Sequence, residues 1–335
     1  MKKALSLILA LVMCLALVAC GSGNSGSTAT TPSADATPSA EPAAATYTVG
    51  ICQLVQHVAL DAATQGFRDA LTDALGDAVT FDEQNAQGDS ATCSTIVTGF
   101  VANNYDLIMA NATPALQAAV SATSTIPILG TSVTDYATAL AMDFDTNAGT
   151  GINVSGASDG VPGTAYADLL MKLIPDAKKV SVLYCSAEAN SVVQADDFIA
   201  ALPAGVEATV FTFSDSNDLQ AVTNSAIADC DALYIPTDNT AASNTTIIRN
   251  VVEPAKIPVI AGEEGICAGC GLATVSISYY NIGRVAGEQA VQILQGGADV
   301  SKMPIAYDNA PVQKYNADYA AAIGFAIPDG FEAIQ

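Results

Sequence analysis

Residues 47–75 constrain this chain more than any other stretch. Val49-Gly50-Ile51-Cys52 is an apolar run short enough to be one strand buried on both faces of a parallel sheet. A polar loop, residues 53–58, follows at once. Beyond it Leu60, Ala63, Phe67, Ala70, Leu71 and Ala74 recur at helical spacing, while Asp61, Gln65, Arg68 and Asp73 hold the opposite face. Strand, polar loop and amphipathic helix form the first step of an α/β fold. In such sheets ligands gather beyond the carboxyl ends of the strands, which is where Gln53, Gln56 and His57 belong.

The pattern then repeats. Apolar runs at residues 79–81, 105–110 and 126–130 alternate with helical patterns. After about residue 155 a second series begins, with strands expected at 180–184, 208–213, 232–235 and 257–261. Ile126-Pro127-Ile128 and Ile257-Pro258-Val259 follow a helix in each series, a weak internal parallel between two halves. A helix over 280–294, a short strand near 303–306 and a helix near 317–323 close the chain. A length of 335 residues suits about two domains.

The first 46 residues read differently. Lys2 and Lys3 precede an uncharged apolar run, 4–19, shorter than the ~20 residues a spanning helix needs, and the run ends in Leu17-Val18-Ala19-Cys20. This is a secretory leader, residues 1–20, and its last four residues resemble the lipobox of bacterial lipoproteins. That resemblance makes Cys20 the lipid attachment site, and more than one chain there would hold the protein to a membrane without a spanning helix. Residues 21–46, built from Gly, Ser, Thr, Ala and Pro, form a flexible linker. Its GxGxxG spelling at 21–26 has no strand before it and no helix after it, so it is no dinucleotide site. A net charge of -23 with only 11 basic residues argues against a nucleic-acid partner.

Eight segments, in order, carry a resemblance: HVALDAATQGFRDAL, NAQGDSAT, ATPALQAA, IPILGTSVTD, SAEANS, IPTDNT, GEEG and IGFAIP. Over residues 47–330 the chain is similar to the solute-binding proteins of ABC importers, and more narrowly to the tryptophan/tyrosine-type family with the type I periplasmic-binding-protein fold. The resemblance implies an α/β fold of two Rossmann-like lobes with parallel sheets joined by a hinge. They would close on a small solute, an amino acid with aromatics favoured, and present it to a membrane permease with its ATPase. The expected lobes are 47–153 with 279–335, and 154–278. Two departures stand out: Cys267-Ala268-Gly269-Cys270 where an ordinary turn is expected, and residues 276–278 where many members carry Gly and Asp. The second leaves the ligand of this chain open.

An amino-acid ligand needs partners for a carboxylate and an ammonium. Helix N-termini favour anions, and Thr113 before Pro114 reads as such a start, with Ser132, Thr134 and Asp135 on the next strand-end loop. Thr113 either caps its own helix or, with Thr134, holds the carboxylate; the two are compatible. Charge-assisted bonds suit the ammonium. Asp238, directly after a strand, is the first choice, then Glu188 and Glu264, with Asn190 and Asn239 beside them. Gln53, Gln56 and His57 would add neutral contacts, and Tyr136, Tyr279 or Tyr280 could stack on an aromatic ring or simply pack.

No catalytic assignment emerges. His57 is the only histidine, no GxSxG elbow or P-loop accompanies it, and nothing singles out an acid–base pair. Cys52, Cys93, Cys185 and Cys230 read as buried small hydrophobes. Cys267-x-x-Cys270 suits a structural disulfide or two free thiols better than half a zinc site, because no second CxxC exists. No metal or cofactor is expected. A ligand sensor for a membrane receptor would use the same cleft and anchor, and remains the alternative to transport.

Overall fold

The computed structural model describes residues 45–307 and 310–334. The expected leader, the expected lipid attachment at Cys20 and nearly all of the expected linker lie outside them. Among the described residues no helix is long and apolar enough to cross a membrane.

The first lobe alternates strands and helices as its apolar runs require: β1 (Tyr47–Gln53), α1 (Val58–Leu75), β2 (Val79–Asn85), α2 (Ser90–Ala102), β3 (Leu107–Asn111), α3 (Thr113–Ala122), β4 (Ile128–Val133), α4 (Tyr136–Leu140) and β5 (Val154–Ser158). The second contains α5 (Gly163–Leu173), β6 (Lys179–Cys185), α6 (Ala189–Ala201), β7 (Glu207–Phe213), α7 (Leu219–Ala226), β8 (Ala232–Ile235), α8 (Asn239–Ala242), α9 (Thr245–Val252), β9 (Val259–Ala261), α10 (Glu264–Cys270) and β10 (Ala273–Ser276). The chain then returns to the first lobe with α11 (Tyr279–Leu294) and β11 (Ala306–Tyr307). It ends in the second with β12 (Val312–Tyr315), α12 (Ala317–Ile323) and β13 (Glu332–Ala333).

The sheets run β11-β5-β4-β3-β1-β2 and β13-β12-β10-β9-β8-β6-β7. All pairs are parallel except β10 with β12. Side-chain alternation explains why strands buried on both faces read as continuous apolar runs. Val49, Ile51, Leu107 and Met109 pack with Phe67, Leu71, Ile282 and Ala286 on the α1/α11 face. Cys52, Ile108 and Ala110 turn to Val97, Phe100 and Leu116 on the α2/α3 face. Burying one such side chain as fully as Phe67 contributes ~1.5–3 kcal/mol. Helices α1 and α11 touch backbone to backbone: a Cβ on Gly66 would collide with Tyr280 O, and one on Gly283 with Ala63 O. That contact fixes where the returning helix sits.

Two corrections to the expected lobes and one to an expected strand follow. β5 pairs with β4, so residues 154–158 belong to the first lobe and the crossing falls after Ser158, not at 153. The strand escapes sequence patterning because Val-Ser-Gly-Ala-Ser has almost no large apolar side chain. It is fully buried nonetheless, with Gly156 at φ 140° and no room for a Cβ beside Gly130 O. Second, the expected strand near 303–306 lies at Ala306–Tyr307. Third, the terminal segment is divided, because β12 pairs with β10 of the second sheet instead of staying with the first lobe. The chain therefore crosses between lobes at 159–162, at 277–278 and between β11 and β12.

Candidate functional site

Strands β1, β3 and β4 of the first lobe and β6, β8 and β9 of the second end facing one another. Between them lies a narrow cavity lined by His57, Leu60, Ser132, Thr134, Asp159, Asn190, Thr237, Asn239 and Tyr279. Both lobes and two crossings contribute: Asp159 stands on the first, and Tyr279 opens α11 directly after the second. Several contacts already bridge the lobes. His57 Nε2 is 3.2 Å from Asn239 Oδ1, and Gln194 Nε2 is 3.5 Å from Thr134 Oγ1.

Hydrogen bonding inside this cavity is incomplete. Asp159 Oδ2 accepts from the Tyr279 hydroxyl at 2.9 Å, but Asp159 Oδ1 has no partner. His57 Nδ1, Ser132 Oγ and Asn190 Oδ1 are likewise buried and unpaired, and so is Thr113 Oγ1 close by. Buried polar groups in folded proteins are nearly always paired, and an orphan costs ~1–3 kcal/mol. A cluster of such orphans across a domain interface is the signature of a ligand site. Ser132 reinforces it, holding a positive φ of 54° at the end of β4. Burial pushes the Asp159 carboxyl above the usual carboxylate range, while the Tyr279 and Thr134 hydroxyls and the nearby His57 hold it down. Burial likewise raises Glu263, again opposed by His57. Glu263 is consumed as the N-cap of α10, accepting from Gly265 N and Ile266 N.

The structure divides the expected site residues. His57, Ser132, Thr134, Asn190 and Asn239 line the cavity. Thr113 is buried nearby but is not the helix cap: Ala112, at φ 90°, occupies that position, and no side chain caps α3. Pro114 has no N–H and Leu116 N bonds Ala112 O, so the Thr113 and Ala115 N–H groups and the Thr113 hydroxyl are the donors this ten-residue helix leaves to an anion.

The rest serve the scaffold. Gln53 uses its whole amide internally, with Asp61 at 2.7 Å, Val55 O at 2.9 Å and Thr64 at 2.6 Å. Gln56 is exposed and outside the cavity, and Asp135 caps α4 through Thr138 N. Asp238 caps α8 through Ala241 N and also accepts from Cys185 N and Ser191 Oγ. Glu188 accepts from both N–H donors of Asn239 and from Thr240 N and Oγ1, at 2.7–2.9 Å. Glu264 lies on a different cavity, paired with Lys314. Tyr136 is core in the first lobe and Tyr280 bonds Asp69 on the outside, which leaves Tyr279 as the tyrosine of the site. Cys267 and Cys270 are free and buried in α10. Among the described residues no group of His, Cys, Asp and Glu could hold a metal ion.

Asp159 and Thr237 are the functional candidates that sequence reasoning misses. The signal for Asp159 was present, an Asp-Gly pair after a strand, but that strand was itself unrecognised.

Comparison with known proteins agrees with this architecture. The family described as ABC transporter substrate binding protein matches residues 48–329. A tyrosine-binding protein of Clostridioides difficile strain R20291 is 39% identical over 264 residues, covering 77% of this chain and 75% of that one. A Streptococcus structure in complex with L-Trp superposes with a TM-score of 0.81 at 29% identity, covering 87% of this chain and 100% of the other. A ligand-free, open structure of a Clostridium difficile substrate-binding protein with adhesive properties is 36% identical but reaches a TM-score of only 0.65, over 86% and 99% of the two chains. The lobes here are thus arranged more like the ligand-bound neighbour than the open one, although the open one is closer in sequence.

A two-lobed α/β architecture with a polar cavity between the lobes is the arrangement these relatives share. This chain belongs to the ABC transporter substrate-binding family, with the type I periplasmic-binding-protein fold, and that family binds substrate for transport and is not one of enzymes.

Proposed function

We propose that this chain captures a free amino acid, aromatic by preference, outside the cytoplasmic membrane and hands it to an ABC permease with its ATPase. The observation that carries the reading is the open oxygen of Asp159. A buried carboxylate with one unpaired oxygen is an acceptor for a ligand ammonium. The Ser132 and Thr113 hydroxyls, with the uncapped start of α3, supply donors for the ligand carboxylate. Asn190, Thr237 and Asn239 close over it from the second lobe. The tyrosine-binding relative and the L-Trp-bound neighbour favour an aromatic side chain.

Ligand contacts to both lobes favour the closed form over the open one, and the permease recognises the closed form. Cys20, once lipidated, anchors the protein through the 21–46 linker. Cys20→Ala should then move the mature protein from the membrane to the soluble fraction.

The direct test is thermal unfolding and titration calorimetry with the twenty amino acids, common sugars and purines. A ligand at ~100 times its dissociation constant adds ~2.7 kcal/mol, which moves the midpoint by several degrees. A shift confined to Tyr, Trp and Phe is the expected result. A shift with a sugar or purine instead would keep the mechanism and overturn the ligand class.

A further inference from the structure

A second cavity, of about 560 Å³, lies beside the hinge, within the ~300–1,000 Å³ typical of small-molecule sites. Its walls come from both lobes and two crossings. α1 contributes Val58 and Ala62, α10 contributes Ala268, the second crossing Ile277, and the terminal segment Val312 and Ile334. Val58 is 74% exposed, the most exposed of the large hydrophobic side chains among the described residues, and it lines this cavity.

One wall is charged. Lys314 Nζ meets Glu264 Oε2 at 2.8 Å, and the Ser276 hydroxyl donates to the same oxygen. Glu264 Oε1 has no protein partner among the described residues, and Lys314 uses one of its three N–H donors there. Both side chains are about one-third exposed or less, at 34% and 27%.

We propose that this cavity is a second ligand site, for an α-amino acid with an apolar side chain. The chemistry follows from the wall. An α-amino acid presents one ammonium and one carboxylate on the same carbon. It can lie against the Lys314–Glu264 pair with charges reversed, the carboxylate taking free Lys314 donors and the ammonium taking Glu264 Oε1. A simple anion or cation would meet only half of that pair and be opposed by the other half. The remaining surface is apolar and suits an aromatic or branched side chain.

The site also couples to the main cleft. Tyr279 lines both cavities, and its hydroxyl holds Asp159. Because α1 and α10 belong to different lobes, a molecule here favours the closed arrangement. Occupancy of either site should therefore tighten the other by roughly 5-fold or more. The second site is separate from the main cleft and does not depend on that cleft's ligand being an amino acid.

The test is equilibrium dialysis and calorimetry of the full chain with L-phenylalanine, in the wild type and three variants. Two molecules per chain are expected at saturation. Ala268→Trp, at an exposed wall position, should remove the hinge-side event and keep the cleft event. Lys314→Met, which leaves the wall in place, should weaken the same event selectively. Asp159→Asn should do the reverse, removing the cleft event and keeping the other. One molecule per chain, lost in Asp159→Asn and indifferent to Ala268→Trp, would overturn the second site and leave the main reading intact. A second event that survives both Ala268→Trp and Lys314→Met overturns it as well. An event sensitive to Ala268→Trp but not to Asp159→Asn, found alone, would instead sink the amino-acid reading of the cleft.

Discussion

Buried carboxylates stand in the second lobe and on the first crossing between lobes, and they are used in opposite ways. In the second lobe Asp238 and Glu188 are filled with protein donors, three for Asp238 and four for Glu188 from Asn239 and Thr240. On the first crossing Asp159 keeps one oxygen unpaired. Burial alone makes neither group functional. A filled carboxylate ties loops and helix starts together, whereas an open one waits for a cation. On the proposed reading the second lobe is a pre-formed wall, and the hinge region carries the charge that meets the ligand.

The sharpest way to break this contrast is to remove the open carboxylate. Asp159→Ala should cost ~2–5 kcal/mol of amino-acid affinity, as truncation of one partner in a buried charge pair does. Its folding stability should hold or rise, because an under-paired buried carboxylate is lost with it. Calorimetry and urea unfolding of the same variant separate the two effects. Undiminished affinity would remove Asp159 from the site.

Asp238→Ala should show the reverse pattern. Three buried donors lose their acceptor, each orphan costing ~1 kcal/mol or more, so the urea midpoint should drop by the equivalent of ~2–4 kcal/mol. Affinity measured well below that midpoint should change little. An affinity loss as large as that of Asp159→Ala, without loss of stability, would return Asp238 to the ligand and dissolve the contrast.

Acidity sharpens the comparison further. Burial, then the Glu188 charge, pushes the Asp238 carboxyl up to about 8. The folded protein therefore holds that proton more tightly than the unfolded chain does. Stability from this source is present at acid pH and is lost as pH rises from the ordinary aspartate value, ~3.9, through about 8. Asp159 shifts in the same direction, mainly through burial, but it must be ionised to accept an ammonium. Affinity should accordingly rise with pH through its raised value, by at most about tenfold per pH unit for one proton. Measured upward from pH 4, the urea midpoint should fall towards pH 8 while affinity rises with ionisation of Asp159. Parallel slopes would mean that one set of groups controls both.

Much of the fold was legible because large apolar side chains mark it. Strands β1, β3, β6 and β8 announce themselves as buried runs, and α1 by its stripe. The cavity residues at or just beyond the ends of buried strands, His57, Ser132, Thr134, Asn190 and Asn239, were legible with them. What failed was small or long-range. β5 is built from Ser, Gly and Ala, so its burial comes from neighbours that no local pattern reveals, and Asp159 was hidden with it. Asp238 and Glu188 lie 50 residues apart and look alike in sequence to any ligand-facing carboxylate. Only their donors, Cys185 N, Ser191 and the 239–240 backbone among them, show that they are already occupied. Residues 312–334 carry a strand–helix–strand pattern with no mark of which lobe receives it; the antiparallel pairing to β10 decides that.

The smallest effect tests how the two regions are latched together. His57 Nε2 to Asn239 Oδ1 at 3.2 Å joins the loop after β1 to the start of α8, and Asn239 is in turn held by Glu188 through its amide. The filled carboxylate of the second lobe thus positions the residue that meets the first lobe, so scaffold and site communicate through one side chain. His57→Ala removes a single hydrogen bond made only when the lobes are together, worth ~0.5–1.5 kcal/mol. It should raise the ligand dissociation rate by roughly 2- to 12-fold and leave association almost unchanged, because the lost contact forms after encounter. Stopped-flow kinetics on the variant would measure both rates. A slowed association with normal dissociation would place His57 on the entry path instead of in the closing latch.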